Sequence, residues 1–414
     1  MRKVFVLLGL LAGCSSSSPK KPVTAAFPVT VLDAYTRAPL AAVAVALDDA
    51  AGTRQEAQSD ATGVATFQVD WTKAPVSLTL YAEGYTAASY LGIAKADKYQ
   101  TSLAGNIAPM GTQASGQISN KDMAGDEVTL SASVHAGYFQ GISAAYTIEI
   151  YDDKPYSLYA LDWVAGGGQK PSKRGTAQTF KKWVQVDAPA PSPAASVDVD
   201  FSAATALAAV HTSGAITIPG GATGALAQST AYVTVSDSDS LFSSFVGAPL
   251  FLDVSADGSQ FQYSLEHVQP AAIAKPVTTY SVSSKSGAAT AKNDPAWPAD
   301  GATIADLLDP PLVTTPVPGG SLAFGQAPAF TPPSGDASLF LEIMLAGGTA
   351  QQQLLWYVYA PAGTALVPPA LPSSVDAEVA LPPGTLSGQI VACSPPDSEI
   401  CTLYATSDRF NISR

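Results

Sequence analysis

Residues 31–47 read VLDAYTRAPLAAVAVAL. Val43, Val45 and Leu47 recur at every second position. That period belongs to a strand with one face in a core, since successive side chains of a strand point to opposite sides. Arg37-Ala38-Pro39 interrupts the pattern upstream and reads as a turn. Working outward, the alternation returns at Val29 and Val31, at Ala65, Phe67 and Val69, and at Val76, Leu78 and Leu80. Between these runs lie Asp48-Asp49-Ala50-Ala51-Gly52, Asp60-Ala61-Thr62-Gly63 and Glu83-Gly84-Tyr85, all turn-forming. Gly63 and Gly84 supply backbone angles that a Cβ opposes. Several short strands at this spacing predict a β-sandwich over residues 26–108.

The rest of the chain carries the same signature. QASGQIS, EVTLSASV, AYTIEI and YSLYALDW alternate again from Gln113 to Trp163. Further strands are expected near Phe180–Val186, Val197–Phe201, Ala215–Ile218, Ala231–Val235, Leu250–Val254 and Gln260–Leu265. Residues 109–269 are therefore read as a second β-sandwich region. From Pro270 to Gly320 the chain is rich in Pro, Ala and Thr, with one helix-capable turn at Ile304–Leu308, and reads as a join. SLFLEIMLA, QQLLWYVYAP, AEVALP and SGQIVAC then predict strands of a C-terminal sandwich, so that residues 270–414 form the third unit. Trp356 is its expected core anchor. SGQI occurs twice, at Ser115–Ile118 and Ser387–Ile390, which is too short to establish a repeat. The fold class expected is all-β, with tandem immunoglobulin- or transthyretin-like sandwiches and little helix.

Three stretches of the first unit resemble a known family. VLDAYTRAPLAAVAVAL, SDATGVATFQV and LTLYAEGYTAAS look like the carboxypeptidase regulatory-like domain, a transthyretin-like or Cna-B-like sandwich. The matching positions are Asp33, Thr36, Pro39, Leu40, Val43, Val45, Asp60, Gly63, Phe67, Gly84 and Tyr85. The resemblance implies a sandwich and no activity of its own. In metallocarboxypeptidases this domain accompanies a zinc peptidase, and none follows here. Cna-B-like domains can carry a Lys–Asn isopeptide bond, but no Asn lies between Phe27 and Ile93.

Composition bounds the function. Lys plus Arg number 21 against 34 Asp plus Glu, a formal charge of −13. A net-acidic chain repels phosphate backbones, so nucleic acid is not an expected partner. Hydrophobic residues make up 47% of the chain, enough for packed cores. The 33 Gly and 32 Pro favour turns over long helices.

The first 23 residues, MRKVFVLLGLLAGCSSSSPKKPV, place the protein. Arg2 and Lys3 precede a short apolar run, Val4–Leu11, far below the roughly 20 residues that span a bilayer. This is the pattern of a secretory signal. LAGC at Leu11–Cys14 is similar to the bacterial lipobox, in which the cysteine becomes the diacylglycerol-bearing first residue. The resemblance implies a lipidated Cys14 after a signal peptide of residues 1–14, and a flexible tether over residues 15–25. Stable anchoring takes two or more acyl chains, which lipoprotein processing provides. Ser15 follows the cysteine where a protein retained in the inner membrane often has Asp, which favours the outer membrane. Cys393 and Cys401 remain. An extracytoplasmic address permits a disulfide between them, and closing the nine-residue loop CSPPDSEIC stabilises the fold by about 2.5 kcal/mol.

No pattern for catalysis stands out. His135, His211 and His267 open no zinc-peptidase motif. Gly141-Ile142-Ser143-Ala144-Ala145 lacks the second glycine of a nucleophile elbow. Gly166–Gly175 has glycines and cations, but not P-loop spacing. With Lys181 and Lys182, its Lys170, Lys173 and Arg174 form the main basic cluster. Asp237–Ser240 and Asp253–Gly258 place oxygens near calcium-like spacing without matching an EF-hand. Tyr81, Tyr85, Tyr90 and Tyr99 are candidates to stack on sugars, or to fill sandwich corners. No catalytic residue, metal or cofactor is expected. The expectation is a non-catalytic lipoprotein of the bacterial cell envelope, acting as a binding or structural module on its periplasmic or surface face. It meets the membrane through its lipid anchor, with envelope proteins or polysaccharide as candidate second partners. A carbohydrate-binding accessory lipoprotein is the first alternative and a hydrolase with an unrecognised site the second.

Overall fold

The structure is a computed structural model that describes residues 24–34, 36–105, 112–133, 139–150, 155–164, 179–191, 196–203, 210–219, 226, 230–237, 250–251, 253–254, 259–267, 269, 275–317, 320–334, 337–346, 352–361, 363–381, 384–394 and 401–413. Among them the only α-helix is the four-residue turn α1 (Ala377–Ala380). The chain is all-β, as its alternation predicts.

Four modules follow one another, each with its own core. The first contains β1 (Ala25–Asp33), β2 (Ala44–Asp49), β3 (Arg54–Gln58), β4 (Val64–Val69), β5 (Val76–Tyr81), β6 (Ala87–Ile93) and β7 (Tyr99–Leu103). The second contains β8 (Thr112–Ser119), β9 (Glu127–Ala132), β10 (Phe139–Gly141), β11 (Ala145–Ile150), β12 (Tyr156–Val164), β13 (Thr179–Ala188) and β14 (Val199–Asp200). The third contains β15 (Val210–Thr217), β16 (Thr230–Asp237), β17 (Leu250–Phe251), β18 (Asp253–Val254), β19 (Gln260–His267), β20 (Pro276–Ser283), β21 (Ala289–Asp294) and β22 (Ala302–Ile304). The fourth contains β23 (Leu312–Thr315), β24 (Ser321–Ala323), β25 (Ala329–Thr331), β26 (Ser338–Ala346), β27 (Gln352–Ala360), β28 (Leu386–Ser394), β29 (Leu403–Thr406) and β30 (Phe410–Ser413).

A single plan runs through all four. In the first module one sheet has the order β4-β1-β7 and the other β3-β2-β5-β6. Naming these seven strands a to g in chain order, the sheets are d-a-g and c-b-e-f. The second module repeats this as β11-β8-β14 and β10-β9-β12-β13. The third repeats it as β19-β15-β22, with β18 added outside, and β17-β16-β20-β21. In each, the first strand pairs in parallel with the last: β1 with β7, β8 with β14, β15 with β22. The fourth keeps c-b-e-f as β27-β26-β28-β29 and the parallel pair as β24 with β30. Among the described residues strand d is missing there. Between β27 and β28 the chain instead passes through α1.

Three expectations are corrected. Residues 270–304 do not form a loop-like join. β20 pairs with β16 from Thr230↔Ser283 to Asp237↔Pro276, and Tyr280, Val282 and Ile304 belong to the same core as Ile216 and Phe261. The ladder thus runs across the expected boundary at 269/270, because its partner strands lie some 45 residues apart and local composition does not mark them. Ile304 ends β22, and residues 305–310 are irregular rather than helical. Ala377–Ala380 of AEVALP is helical where a strand was expected. The Ala380 N–H donates to Asp376 and that of Leu381 to Ala377, and Ala and Glu favour helix over strand.

The first core explains the opening motif. Val43, Val45 and Leu47 are buried with Phe27, Val29, Val31, Phe67, Leu78 and Leu80. Each such aliphatic side chain contributes about 1.5–3 kcal/mol on burial. The polar motif residues are brought together by turns. Asp33 accepts from the Thr36 N–H at 2.8 Å and from the Tyr85 hydroxyl at 3.0 Å. Asp60 accepts from the N–H groups of Thr62 and Val64, and these bonds, led by that from the Thr62 hydroxyl, hold its pKa below the usual carboxylate value. Gly63 has φ +76°, and a Cβ there would meet the Val31 carbonyl at 2.7 Å.

The first SGQI stretch also acquires a reason, and it shares that reason with Ser213-Gly214-Ala215-Ile216 of the third module. Gly116 on β8 and Gly214 on β15 hold corresponding places on strand a, opposite Tyr146 and Tyr263 of strand d. A Cβ at Gly116 would run into the Val197 carbonyl and the Tyr146 ring, and one at Gly214 into the Ala302 carbonyl and the Tyr263 hydroxyl. The tyrosine hydroxyl of the second module donates to the Val197 carbonyl. Gly116→Ala is expected to cost about 1–3 kcal/mol in chemical denaturation, because backbone on one side leaves nothing able to yield.

The modules do not form an open string. β6 of the first pairs in parallel with β27 of the fourth, from Ala87↔Trp356 to Tyr90↔Tyr359. β29 of the fourth pairs antiparallel with β21 of the third, from Leu403↔Lys292 to Thr406↔Ala289. One sheet therefore crosses three modules. The second packs on the third by its sheet face: Tyr159, Leu161, Trp163 and Trp183 share the core of Ile216 and Phe261.

The Cys393–Cys401 disulfide is formed, with a Cα–Cα distance of 5.2 Å. It closes the turn between β28 and β29. Asn293 of β21 donates through Nδ2 to the Cys401 carbonyl at 3.0 Å, so the bridge also lies at the seam between the third and fourth modules. Replacing both cysteines with serine is expected to lower the unfolding free energy by about 2.5 kcal/mol.

Candidate functional site

The seam between the first and fourth modules concentrates the unusual chemistry of the described residues. Trp356 is fully buried on β27, and its indole N–H donates to the Ser89 hydroxyl of β6 at 3.0 Å. Ser89 in turn shares a hydrogen bond with Thr79 at 3.1 Å. On the opposite face Tyr90 and Tyr359 stack with centroids 5.0 Å apart and planes within 4°. The row continues to Phe340 at 5.1 Å from Tyr359, and Tyr357 lies 5.7 Å from Tyr359. Tyr99 of β7 closes the other side, 5.3 Å from Tyr90. Burial pushes the Tyr359 hydroxyl well above its ordinary pKa.

Glu342 stands on β26 at the edge of this row, between Tyr357 and Gln389 on the neighbouring strands. Burial raises its pKa to about 7, against the pull of the Arg409 guanidinium. Gln389 beside it is committed elsewhere, donating to the carbonyls of Gly287 and Ser407. A second clasp joins the same modules. Arg54 on β3 donates to the carbonyls of Ala370 and Leu371 at 2.9 and 2.8 Å, and Glu56 accepts from the Ser373 N–H at 2.9 Å. The Ser373 hydroxyl and the Arg54 guanidinium hold the Glu56 pKa below its usual value. Chemically, this region is a latch with one carboxyl poised near neutral pH.

The residues singled out by sequence fall differently. Cys14 and His135 lie outside the described residues, as does Gly166–Gly175 with Lys170, Lys173 and Arg174. Lys181 is engaged within its own module, 2.8 Å from Asp126 and 3.0 Å from Asp122. Lys182 donates to the Asn120 carbonyl. Asp162, fully buried beside them, accepts from the Asp122 N–H at 2.8 Å, and burial raises its pKa. His211 is exposed on β15, whereas His267 is buried and stacked on Trp297 at 5.7 Å. Ser143 accepts from the Ala145 N–H in the turn before β11. Asp237 and Asp253 lie on strands of different sheets. Among the described residues no group of three or more His, Cys, Asp or Glu is placed to hold a metal ion.

The tyrosines weighed for sugar stacking are spent on packing. Tyr81 packs against the fourth core and Tyr85 bonds Asp33. Tyr90 and Tyr99 belong to the aromatic row, in which Tyr90 stacks face to face on Tyr359 and Tyr99 meets Tyr90 at 60°. Sequence reading did not single out Glu342, although a lone acid in the apolar strand SLFLEIMLA was its signal.

No protein-family model and no curated protein matches the chain. Among solved structures, the Bacillus anthracis TIE protein aligns at 10% identity and TM-score 0.18, over 68% of this chain and 49% of that one. The present chain thus spans about half of that protein. BcpA, the major pilin subunit of Bacillus cereus, aligns at 9% identity and TM-score 0.17, over 68% of this chain and 99% of that one. The pilus adhesin SpaC from Lactobacillus rhamnosus GG, in its open conformation, aligns at 10% identity and TM-score 0.17, over 83% and 44%. Overlap this slight carries nothing about function, and the fold rests on the strand order itself.

Proposed function

We propose that this chain is a lipid-anchored protein of the bacterial envelope, outer membrane included, that serves as a non-catalytic binding or structural module. The single supporting observation is the sheet that crosses from the first module to the fourth and on to the third. Edge-to-edge pairing fixes modules as one body, which suits a rigid support or presenter and works against clefts that open and close. The carboxypeptidase regulatory-like reading of residues 26–108 agrees with a supporting role, since that domain is an accessory. The Arg2–Cys14 pattern supplies the anchor, with residues 15–25 as tether. Envelope proteins suit such a body better than polysaccharide, because the rings nominated for sugar stacking are engaged within the protein: Tyr81 on the fourth core, Tyr85 with Asp33, Tyr90 on Tyr359 and Tyr99 against Tyr90. Whole-cell labelling with radioactive palmitate tests the anchor. Wild type is expected to incorporate label and Cys14→Ser to lose it and leave the membrane fraction; an unlabelled wild type, found free in the medium, overturns the proposal.

A further inference from the structure

Strand directions on the two sides of the seam between the first and fourth modules can be followed bond by bond. β1 is parallel to β7. The Tyr85↔Gly105 bridge is antiparallel and the Thr86 N–H donates to the Ala104 carbonyl at 2.8 Å, so β6 runs against β7 and hence against β1. β6 is parallel to β27. From β27 the sheet steps antiparallel to β26, then to β28, then to β30, so β30 also runs against β27. β1 and β30 therefore point the same way.

The described chain enters at the tail of β1 and leaves at the head of β30. A pull on these two points drags the first module one way and the fourth module the other, along the axes of β6 and β27. Hydrogen bonds of a ladder drawn along its strands share the load and must break together. Those of a ladder drawn across its strands break one after another. The pairing from Ala87↔Trp356 to Tyr90↔Tyr359 is loaded in the first way.

More than the ladder crosses this seam. The Trp356–Ser89 hydrogen bond spans it on one face and the Tyr90–Tyr359 stack on the other. After β27 the chain lies over the first module. A Cβ at Gly92 of β6 would come within 3.0 Å of Pro361, while Arg54 and Glu56 on β3 hold Ala370, Leu371 and Ser373. The sheet order there is β6-β5-β2-β3, so this strap reaches across its full width. The second and third modules lie beside the path. They follow the first in the chain, but the second packs on the third, and the third is tied to the fourth through β21 and β29. Among the described residues the strands of the first module pair with no other module than the fourth.

We infer that the β6–β27 seam is a force-bearing latch. Tension between an N-terminal anchor and a partner held by the fourth module crosses it in shear, and the second and third modules are spared the load. The inference rests on the reading of the chain as an anchored structural module, and gives that module a mechanical task.

Single-molecule pulling on the full chain carrying Cys14→Ser, with handles at its two termini, tests this. The first event is expected to be a short step, shorter than the unfolding of any one module, because it parts modules that stay folded. Handles at Lys95 and Ala365 instead sit beyond the same ends of the parallel strands β6 and β27, and draw the seam across its strands. The seam should then open at a lower force than in the end-to-end geometry. Rupture under load follows the barrier to opening, so Arg54→Ala should lower the force of the first end-to-end step and leave the unfolding forces of the second and third modules unchanged. Equal forces in the two geometries, a first event that releases the chain length of a whole module, or a first step indifferent to Arg54→Ala overturns the inference. No lipid enters this measurement, so its failure is distinct from failure of the palmitate labelling that tests the anchor.

Discussion

Trp356→Ala is expected to lower the unfolding free energy by about 3–5 kcal/mol, the largest single-residue effect in this protein. The indole is fully buried in the fourth core beside Leu341, Val358 and Ile390, and its ring lies 5.9 Å from that of Phe324. Its removal leaves a cavity that two locked sheets cannot close. It also strips the Ser89 hydroxyl of its indole donor in a dry seam. The effect should be directional. Ala87–Tyr90 pairs with β27 on one edge, so amide exchange there should rise more than in β2 or β4. Trp356→Phe keeps most of the volume and loses the N–H, and should cost about 1–2 kcal/mol. Denaturant titration of the full chain measures both. A loss under about 1 kcal/mol for the alanine variant would show that the seam is not a core.

Glu342→Gln is expected to stabilise the protein in mildly alkaline solution by about 2–3 kcal/mol. The folded-state pKa of about 7 stands above the ordinary 4.5, because burial disfavours the carboxylate. The fold therefore binds this proton more tightly than the unfolded chain does. Its contribution is complete below the unfolded value and is lost as pH rises through the folded one. Wild-type stability should decline between about pH 5 and about pH 8, and the glutamine variant, which cannot ionise, should show a flatter profile. The two should coincide near pH 4.5. Arg409 bears on the same group, and Arg409→Met should raise the Glu342 pKa further and extend the decline to higher pH. Equal pH slopes in wild type and variant would show that the carboxyl is solvated.

Some of this was open to reading. Val43, Val45 and Leu47 reveal a strand because a strand buries alternate residues, and that rule needs no knowledge of the partner. Gly63 marks a turn because its φ excludes other side chains. Trp356 was recognised as a core anchor from size and strand context. Cys393 and Cys401 declared a bridge by spacing and address. The join assigned to residues 270–320 failed because β20 and β21 are interior strands whose outer partners, β16 and β29, lie far along the chain, and Pro- and Thr-rich composition does not report such pairing. The strand assigned to AEVALP failed because six residues cannot separate an apolar turn of helix from an apolar strand.

What the chain sequence determined alone is local: strand or turn, inward or outward, and an all-β class with almost no helix. Those follow from side-chain size, branching and polarity at neighbouring positions. Tertiary structure decided that four modules share one plan, that the first and fourth are joined by β6 and β27, and that Glu342 titrates near neutrality. Ser89 and Trp356 are separated by 267 positions, and no local pattern links them. Ladder bonds between strands use backbone groups that every residue carries, so the choice of partner is written in the geometry of whole sheets and not in any short run of letters.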